Sequence, residues 1–274
     1  MDNHEAEKKI AWEAELESHR QLAKDGAKEF FAKEFPDLKH AFLEHLETVC
    51  CMDEGTAHKD LSGEAKFTLA GSGILYPAAS EEERLQKVVE KMIELGVENI
   101  TSHGGCGAAK LAYQRDFLGI DPDSITKQMV DDYAKAWSKK LSDKLKELGH
   151  ASEFKNIELS DLERPAEFHT ARMAYFDAVG GFNPNKEIDL PLGFVIERKF
   201  LPADYAAEEL KVAVQIAFGD HGFDKLFTEE TPFIINVFAA DENELEKIKN
   251  EVAAVLADNE YFKDKRVKID GLVI

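Results

Sequence analysis

The residues best suited to chemistry lie in two short stretches, "CCMDE" (Cys50 to Glu54) and "TSHGGCGAAK" (Thr101 to Lys110). Each follows or ends a short apolar run that reads as a strand. Successive side chains of a strand point to opposite faces, so Cys50 and Cys51 diverge while Cys51 and Asp53 share a side. His103 falls at the end of a later strand, a spatial neighbour of the first. Cys106 falls on the opening turn of the next helix, where free N–H groups favour a thiolate. Cys51, Asp53, His103 and Cys106 then converge at the carboxyl edge of a parallel sheet, the edge on which open α/β sheets build their sites. Two thiolates and an imidazole suit Zn²⁺, at about 2.3 Å for sulfur and about 2.0–2.1 Å for nitrogen, with water or Asp53 in the fourth position.

The same letters admit other readings. A phosphate cradle is the weaker one, because "HGGCGAAK" has neither the Gly-x-Gly-x-x-Gly spacing nor the Walker lysine. Gly104, Gly105 and Gly107 instead let the backbone approach a metal and leave room for a small substrate. Two core cysteines beside a hydrogen-bonded histidine use the same residue types, as does a closed structural zinc. "GDHG" (219–222) reads as a helix-ending turn, His45 as one face of a helix, and the Phe-rich stretch 30–42 as core or subunit interface. No Asp-x-Asp-x-Asp-Gly loop marks a calcium site.

These residues need strands and helices to place them. Residues 5–47 carry apolar positions at helical spacing, with Pro36 opening a second helix and Asp37 in its first turn. Residues 46–53 and 65–71 read as short buried strands. Residues 80–96 form a helix with Ser80 as N-cap, Glu83 completing a capping box and Gly96 as the stop. Residues 97–105 form a third strand, giving a β-α-β unit and hence a parallel sheet. Helix follows over 121–149, then a less regular stretch over 150–190 containing "HTARMAYFDAVGGFNPN" (169–185). Strands at 193–200, 232–240 and 266–274 alternate with helices near 203–218 and 241–257. No internal repeat or low-complexity linker is legible. The expected plan is an α/β fold with a mainly parallel central sheet flanked by helices. It divides into an N-terminal helical arm (1–45), a zinc-binding α/β core (46–150) and a C-terminal β-α extension (151–274) continuous with the core.

Composition narrows the function classes. The chain has 274 residues, 44% of them hydrophobic, and a net charge of −20 from 54 acidic and 34 basic residues. Such acidity speaks against nucleic-acid binding and against docking on anionic lipid. No run reaches the roughly 18 apolar residues of a membrane span, and the charged N-terminus lacks a signal-peptide core, so the expectation is a cytoplasmic protein. Three cysteines, two of them adjacent, make a poor disulfide framework and suit a reducing compartment.

Over residues 45–118 the chain resembles the β-class carbonic anhydrases. That family's Cys-x-Asp-x-Arg and His-x-x-Cys-Gly patterns fall on Cys51, Asp53, His103, Cys106 and Gly107, with a similar "AG"-bearing strand and a similar helical arm. The resemblance implies a zinc lyase that hydrates CO₂ reversibly to bicarbonate through zinc-bound hydroxide. Asp53 would orient the hydroxide, and the Gly107 N–H would steady the substrate oxygen. It also implies a homodimer or higher homo-oligomer, with CO₂ and bicarbonate as small-molecule partners. Two departures stand out. The family's Asn-Ala-Gly reads "LAGSG", and its arginine, which holds the aspartate off the zinc, falls on Gly55. Either Asp53 ligates zinc and closes a Cys₂-His-Asp site, or a distant cation takes the arginine's place. "HTARMAYFD" offers His169 and Arg172, and Arg172 is the first candidate because guanidinium pairs bidentately with carboxylate. His58 is a candidate proton shuttle. A closed site with a binding or structural role, or an enzyme acting on COS or CS₂, are the alternatives.

Overall fold

The computed structural model describes residues 3–61, 65–184 and 190–274. Three helices open the chain: α1 (Asn3–Ala14), α2 (Leu16–Asp25) and α3 (Ala27–Glu34). Pro36 does not open a full helix. A four-residue 3₁₀ turn, Leu38–Ala41, follows it, after which Leu43 N donates to Gly181 O and Phe42 bridges Phe182. Tertiary pairing claims the backbone there before a helix can extend.

Next come β1 (Thr48–Cys50), α4 (Glu54–Ala57), β2 (Lys66–Thr68), α5 (Glu81–Leu95), β3 (Asn99–His103), α6 (Gly107–Asp116), α7 (Lys127–Glu147) and β4 (Glu153–Ile157). The chain ends with β5 (Met173–Asp177), β6 (Gly193–Ile196), α8 (Ala203–Ala217), β7 (Phe233–Ala239), α9 (Glu242–Leu256), α10 (Glu260–Lys263) and β8 (Val267–Val273). The α/β class, the parallel strands and the flanking helices match the expectation. The strands divide between two four-stranded sheets. Residues 150–190, read as irregular, contain β4 and β5; residues 185–189 of that stretch lie outside the described residues.

Two compact units result, residues 44–166 and residues 1–43 with 167–274. The N-terminal helices thus belong with the C-terminal sheet, whereas the sequence-based segments ran 1–45, 46–150 and 151–274. Aromatic packing explains the association: the Phe31 ring lies 6.4 Å from Tyr175 and 6.2 Å from Phe238.

In residues 44–166 the sheet runs β2-β1-β3-β4, every pair parallel. Val49, Phe67 and Ile100 are fully buried in it, and α5 packs Val88, Val89 and Met92 inward. The expected N-cap and C-terminal stop of α5 are present, while the return bond of Glu83 goes to the residue before the N-cap. Ser80 Oγ accepts from Glu83 N, Glu83 reaches back to Ala79 N, and Gly96 takes the left-handed conformation at φ 73°. In the other unit the sheet runs β6-β5-β7-β8, again all parallel. Every residue of β5, β6 and β7 is buried, which is why these strands read as near-continuous apolar runs. The two units therefore share one strand plan, a repeat that the residue letters conceal.

Candidate metal centre

β1 and β3 are direct neighbours, paired through Thr48↔Asn99 and Val49↔Ile100. Cys51 follows the last residue of β1, His103 is the last residue of β3, and Cys106 is the N-cap of α6. The sheet thus brings together three side chains that the sequence separates. One ligand atom from each of Cys51, His103 and Cys106 lies within 4.8 Å of the others, and the two sulfurs are 4.0 Å apart. All three residues are buried, and no disulfide forms. Cys50, buried on the opposite parity, is outside the group, as strand alternation requires.

The imidazole is oriented for ligation. Nδ1 of His103 donates to Gly104 O at 2.9 Å, which leaves Nε2 as the bare nitrogen. Nε2 is buried and has no hydrogen-bond partner among the described residues. A metal-binding histidine normally fixes its other N–H on a carbonyl or carboxylate in this way. Gly71 N donates to Cys51 Sγ at 3.2 Å, a contact that stabilises a thiolate. Gly71 sits at φ 56°, and a Cβ there would meet Ile74 Cγ2 at 2.7 Å, so the position calls for glycine.

The electrostatics favour a cation at this point. The hydrogen bond to Cys106, then burial, then the charge of Cys106 raise Cys51 well above the ordinary thiol range. Burial lowers the pKa of His103, but Cys51 and Asp53 outweigh it and bring the imidazole up to about 9. The His103 shift describes neighbours that stabilise positive charge on the imidazole, and the Cys51 shift a thiol that stays protonated without such a charge beside it. A bound metal ion supplies that charge and lets both thiols ionise.

Asp53 stands beside the group and is not among its converging atoms. Its Oδ1 accepts from Gly55 N at 2.8 Å and from Arg164 Nε at 3.0 Å, and its Oδ2 accepts from Arg164 Nη2 at 2.9 Å. The pair is deeply buried, 2% exposed at Arg164 and 5% at Asp53. Arg164 also donates to Pro165 O at 2.9 Å and lies 3.8 Å from the Glu54 carboxylate. Burial works against its charge, and the charges of Asp53 and Glu54 restore and raise its pKa.

The cation on Asp53 is therefore Arg164, which corrects the expectation of Arg172. Arg172 is committed within the other unit. Its Nη2 donates to Ala11 O and Trp12 O, its Nε lies 3.4 Å from Glu15, and its guanidinium sits 4.3 Å above the Trp12 ring. His169 is buried in that same unit, 5.7 Å from the Phe194 ring. Gly55 also acquires a reason. A Cβ there would meet Arg164 Cγ at 2.8 Å and Leu162 Cβ at 2.9 Å, so the missing side chain is the space through which the distant arginine enters. Nothing in "LERPAE" marks Arg164 for this role. The only sequence signal was that Gly55 leaves Asp53 without a local cation. Gly107 opens α6, so its N–H belongs to the first-turn donors that lack an intrahelical partner. His58 is buried just after α4.

The other sheet offers no second copy of these ligands. Ile100 lies six residues before the N-cap Cys106 and pairs with Val49; Ile235 lies six before the N-cap Asp241 and pairs with Ala174. Counting from those anchors, Phe176, Phe238 and Asp241 stand in the places of Cys51, His103 and Cys106. No protein-family model matches the chain, and no curated protein or solved structure matches it. What the geometry establishes is a buried Cys-His-Cys group able to hold a metal ion, flanked by an arginine-bound aspartate.

Proposed function

We propose that this chain is a zinc enzyme of the carbonic anhydrase kind, interconverting CO₂ and bicarbonate. The observation that carries the reading is Asp53 fixed by Arg164 beside the Cys51, His103 and Cys106 group. Two thiolates and one imidazole suit zinc among the common metals and leave a fourth position open. Zinc bound there would supply a water acidified to a pKa of about 7.

The remaining work falls to the chain. Cys51, His103 Nε2 and Cys106 would hold the ion. Arg164 and Gly55 N occupy both oxygens of Asp53, which keeps the carboxylate out of the ligand set and fixes its direction. A carboxylate so fixed accepts a hydrogen bond from the reacting water and aims its lone pair at the CO₂ carbon. The Gly107 N–H, at the positive end of α6, donates to the oxygen on which charge develops. Water and CO₂ give bicarbonate, and one proton passes to solvent. Engagement of Asp53 by Arg164 favours this open site over a closed Cys₂-His-Asp one. A homo-oligomer belongs to the same proposal and is read by sedimentation of the purified chain.

Stopped-flow CO₂ hydration on protein of assayed zinc content, beside Cys106→Ser, tests the reading. The expected result is metal-dependent hydration that rises with pH through a single ionisation and is lost in the variant. Full zinc loading with no hydration at any pH overturns it.

A further inference from the structure

The carboxyl edge of the second sheet lacks thiolate and imidazole ligands, yet it buries carboxyl groups that the proposed chemistry does not use. β5 and β6 pair in register through Phe176↔Ile196, so the next step outward sets Asp177 beside Glu197. In-register neighbours on parallel strands project to the same face. Both residues are fully buried. Their hydrogen bonding is unequal. Asp177 Oδ1 accepts from Val179 N and Gly180 N, each at 2.8 Å, and Oδ2 accepts from Phe182 N at 2.9 Å. Neither oxygen of Glu197 has a hydrogen-bond partner among the described residues. The charged groups acting on Glu197 are themselves carboxyls, Asp177 from β5 and Glu209 from α8.

Two adjacent carboxylates cannot both remain ionised in a protein interior. Three backbone N–H groups donate to Asp177 within 2.9 Å, whereas Gly181 is the one backbone group that acts to stabilise a charge on Glu197, against burial and the neighbouring carboxyls. We propose that this edge is a proton-binding site, in which Glu197 is a neutral carboxylic acid at pH 7 and donates its O–H to the Asp177 carboxylate. The shared proton ties the end of β6 to the turn over residues 177–182. Burial, then the Asp177 charge, raise Glu197 well above the ordinary carboxylate range, in keeping with that assignment. An oxygen-rich edge of this kind would otherwise call for a hard divalent cation, the competing occupant.

The sign of the pH effect follows. A carboxyl whose folded pKa lies above its unfolded one contributes stability that is complete below the unfolded value, about 4.3, and is lost as pH rises toward the folded value. Glu197→Gln keeps a hydrogen-bond donor toward Asp177 without a titrating proton.

Infrared spectra of the full chain at pH 7, with calcium and magnesium analysis of the same samples, test the proposal. The wild-type protein is expected to show a protonated-carboxyl carbonyl band that disappears in Glu197→Gln. That variant folds, and its folding equilibrium constant gains on wild type by about tenfold per pH unit between pH 5 and pH 7, the linkage of one proton. Asp177→Asn, which turns one of the two accepting oxygens into an NH₂ group and sets it against a backbone N–H, melts lower. The proposal is overturned by a wild-type spectrum without the band or by a band that survives in Glu197→Gln. It is equally overturned if Glu197→Gln does not fold, if its stability tracks wild type at every pH, or if wild type carries a stoichiometric divalent cation that Glu197→Gln lacks.

Discussion

Truncating Arg164 to alanine separates the two things it does, holding the fold and directing Asp53. In the native chain the guanidinium makes bonds of 3.0 and 2.9 Å to the two oxygens of Asp53 and a third of 2.9 Å to Pro165 O. Alanine leaves the Asp53 carboxylate with Gly55 N as the other donor identified to it, in surroundings where it is 5% exposed. Removing one partner of a buried pair costs about 3–5 kcal/mol, because the remaining charge stays buried. Each kcal/mol moves the melting temperature by about 2–4 °C in domains of 150–250 residues and by more in smaller ones, so a loss of at least about 6 °C is expected. Arg164→Lys restores the charge but not the two-pronged geometry and should fall between the two. On the chemical side, zinc content should hold, since Cys51, His103 and Cys106 are untouched, while hydration per bound zinc falls. Thermal melting, metal analysis and stopped-flow hydration on the same preparations give all three readings. An Arg164→Ala protein that melts with its parent and hydrates CO₂ at the parent's rate per zinc would refute the role given to this pair.

Gly55→Ala tests the space that Arg164 passes through. Its Cβ would meet Arg164 Cγ at 2.8 Å and Leu162 Cβ at 2.9 Å, so a loss of about 1–3 kcal/mol is expected in urea unfolding, and an unchanged midpoint would contradict the packing. His19 supplies an acid limb within the unit formed by residues 1–43 and 167–274. Its Nε2 donates to Pro232 O at 2.8 Å, and burial followed by the Arg172 charge lowers its pKa from 6.5 to about 4. The folded value lies below the unfolded one, so this stability is complete above about pH 6.5 and is lost as pH falls toward 4, about 3 kcal/mol in full. His19→Gln should flatten that part of the stability–pH curve relative to wild type; parallel curves would count against it. Gly71→Ala should lower both stability and metal affinity, since the left-handed turn it strains carries the N–H that meets Cys51 Sγ.

How legible this protein is from its residues depended on whether the signal was local. The strand at β7 was plain because "FIINVFA" is buried on both faces and shows an unbroken apolar run. β4 was not, because "EFKNI" lies at the edge of its sheet with an exposed or half-buried residue at every position but the last, and so has no such run. β5 was hidden within the stretch read as irregular, although each of its five residues is buried. The ligand group could be assembled because strand parity and a helix N-terminus are rules a few residues wide. The partner of Asp53 could not. Gly55 showed that a cation had to come from elsewhere, but Arg164 and Arg172 lie in the same irregular stretch, and only the folded chain separates them. The repeated sheet plan was invisible for a related reason. Phe176, Phe238 and Asp241 share no chemistry with the residues whose places they take, so the likeness survives in strand order alone.

The claim on which the rest stands is that Cys51, His103 and Cys106 hold a metal ion, and elemental analysis of the purified chain beside Cys106→Ser addresses it most directly. One zinc per chain in wild type, falling close to zero in a Cys106→Ser protein that is still folded, is the predicted result. Wild type without a stoichiometric metal, or a Cys106→Ser protein that keeps its full complement, would contradict it.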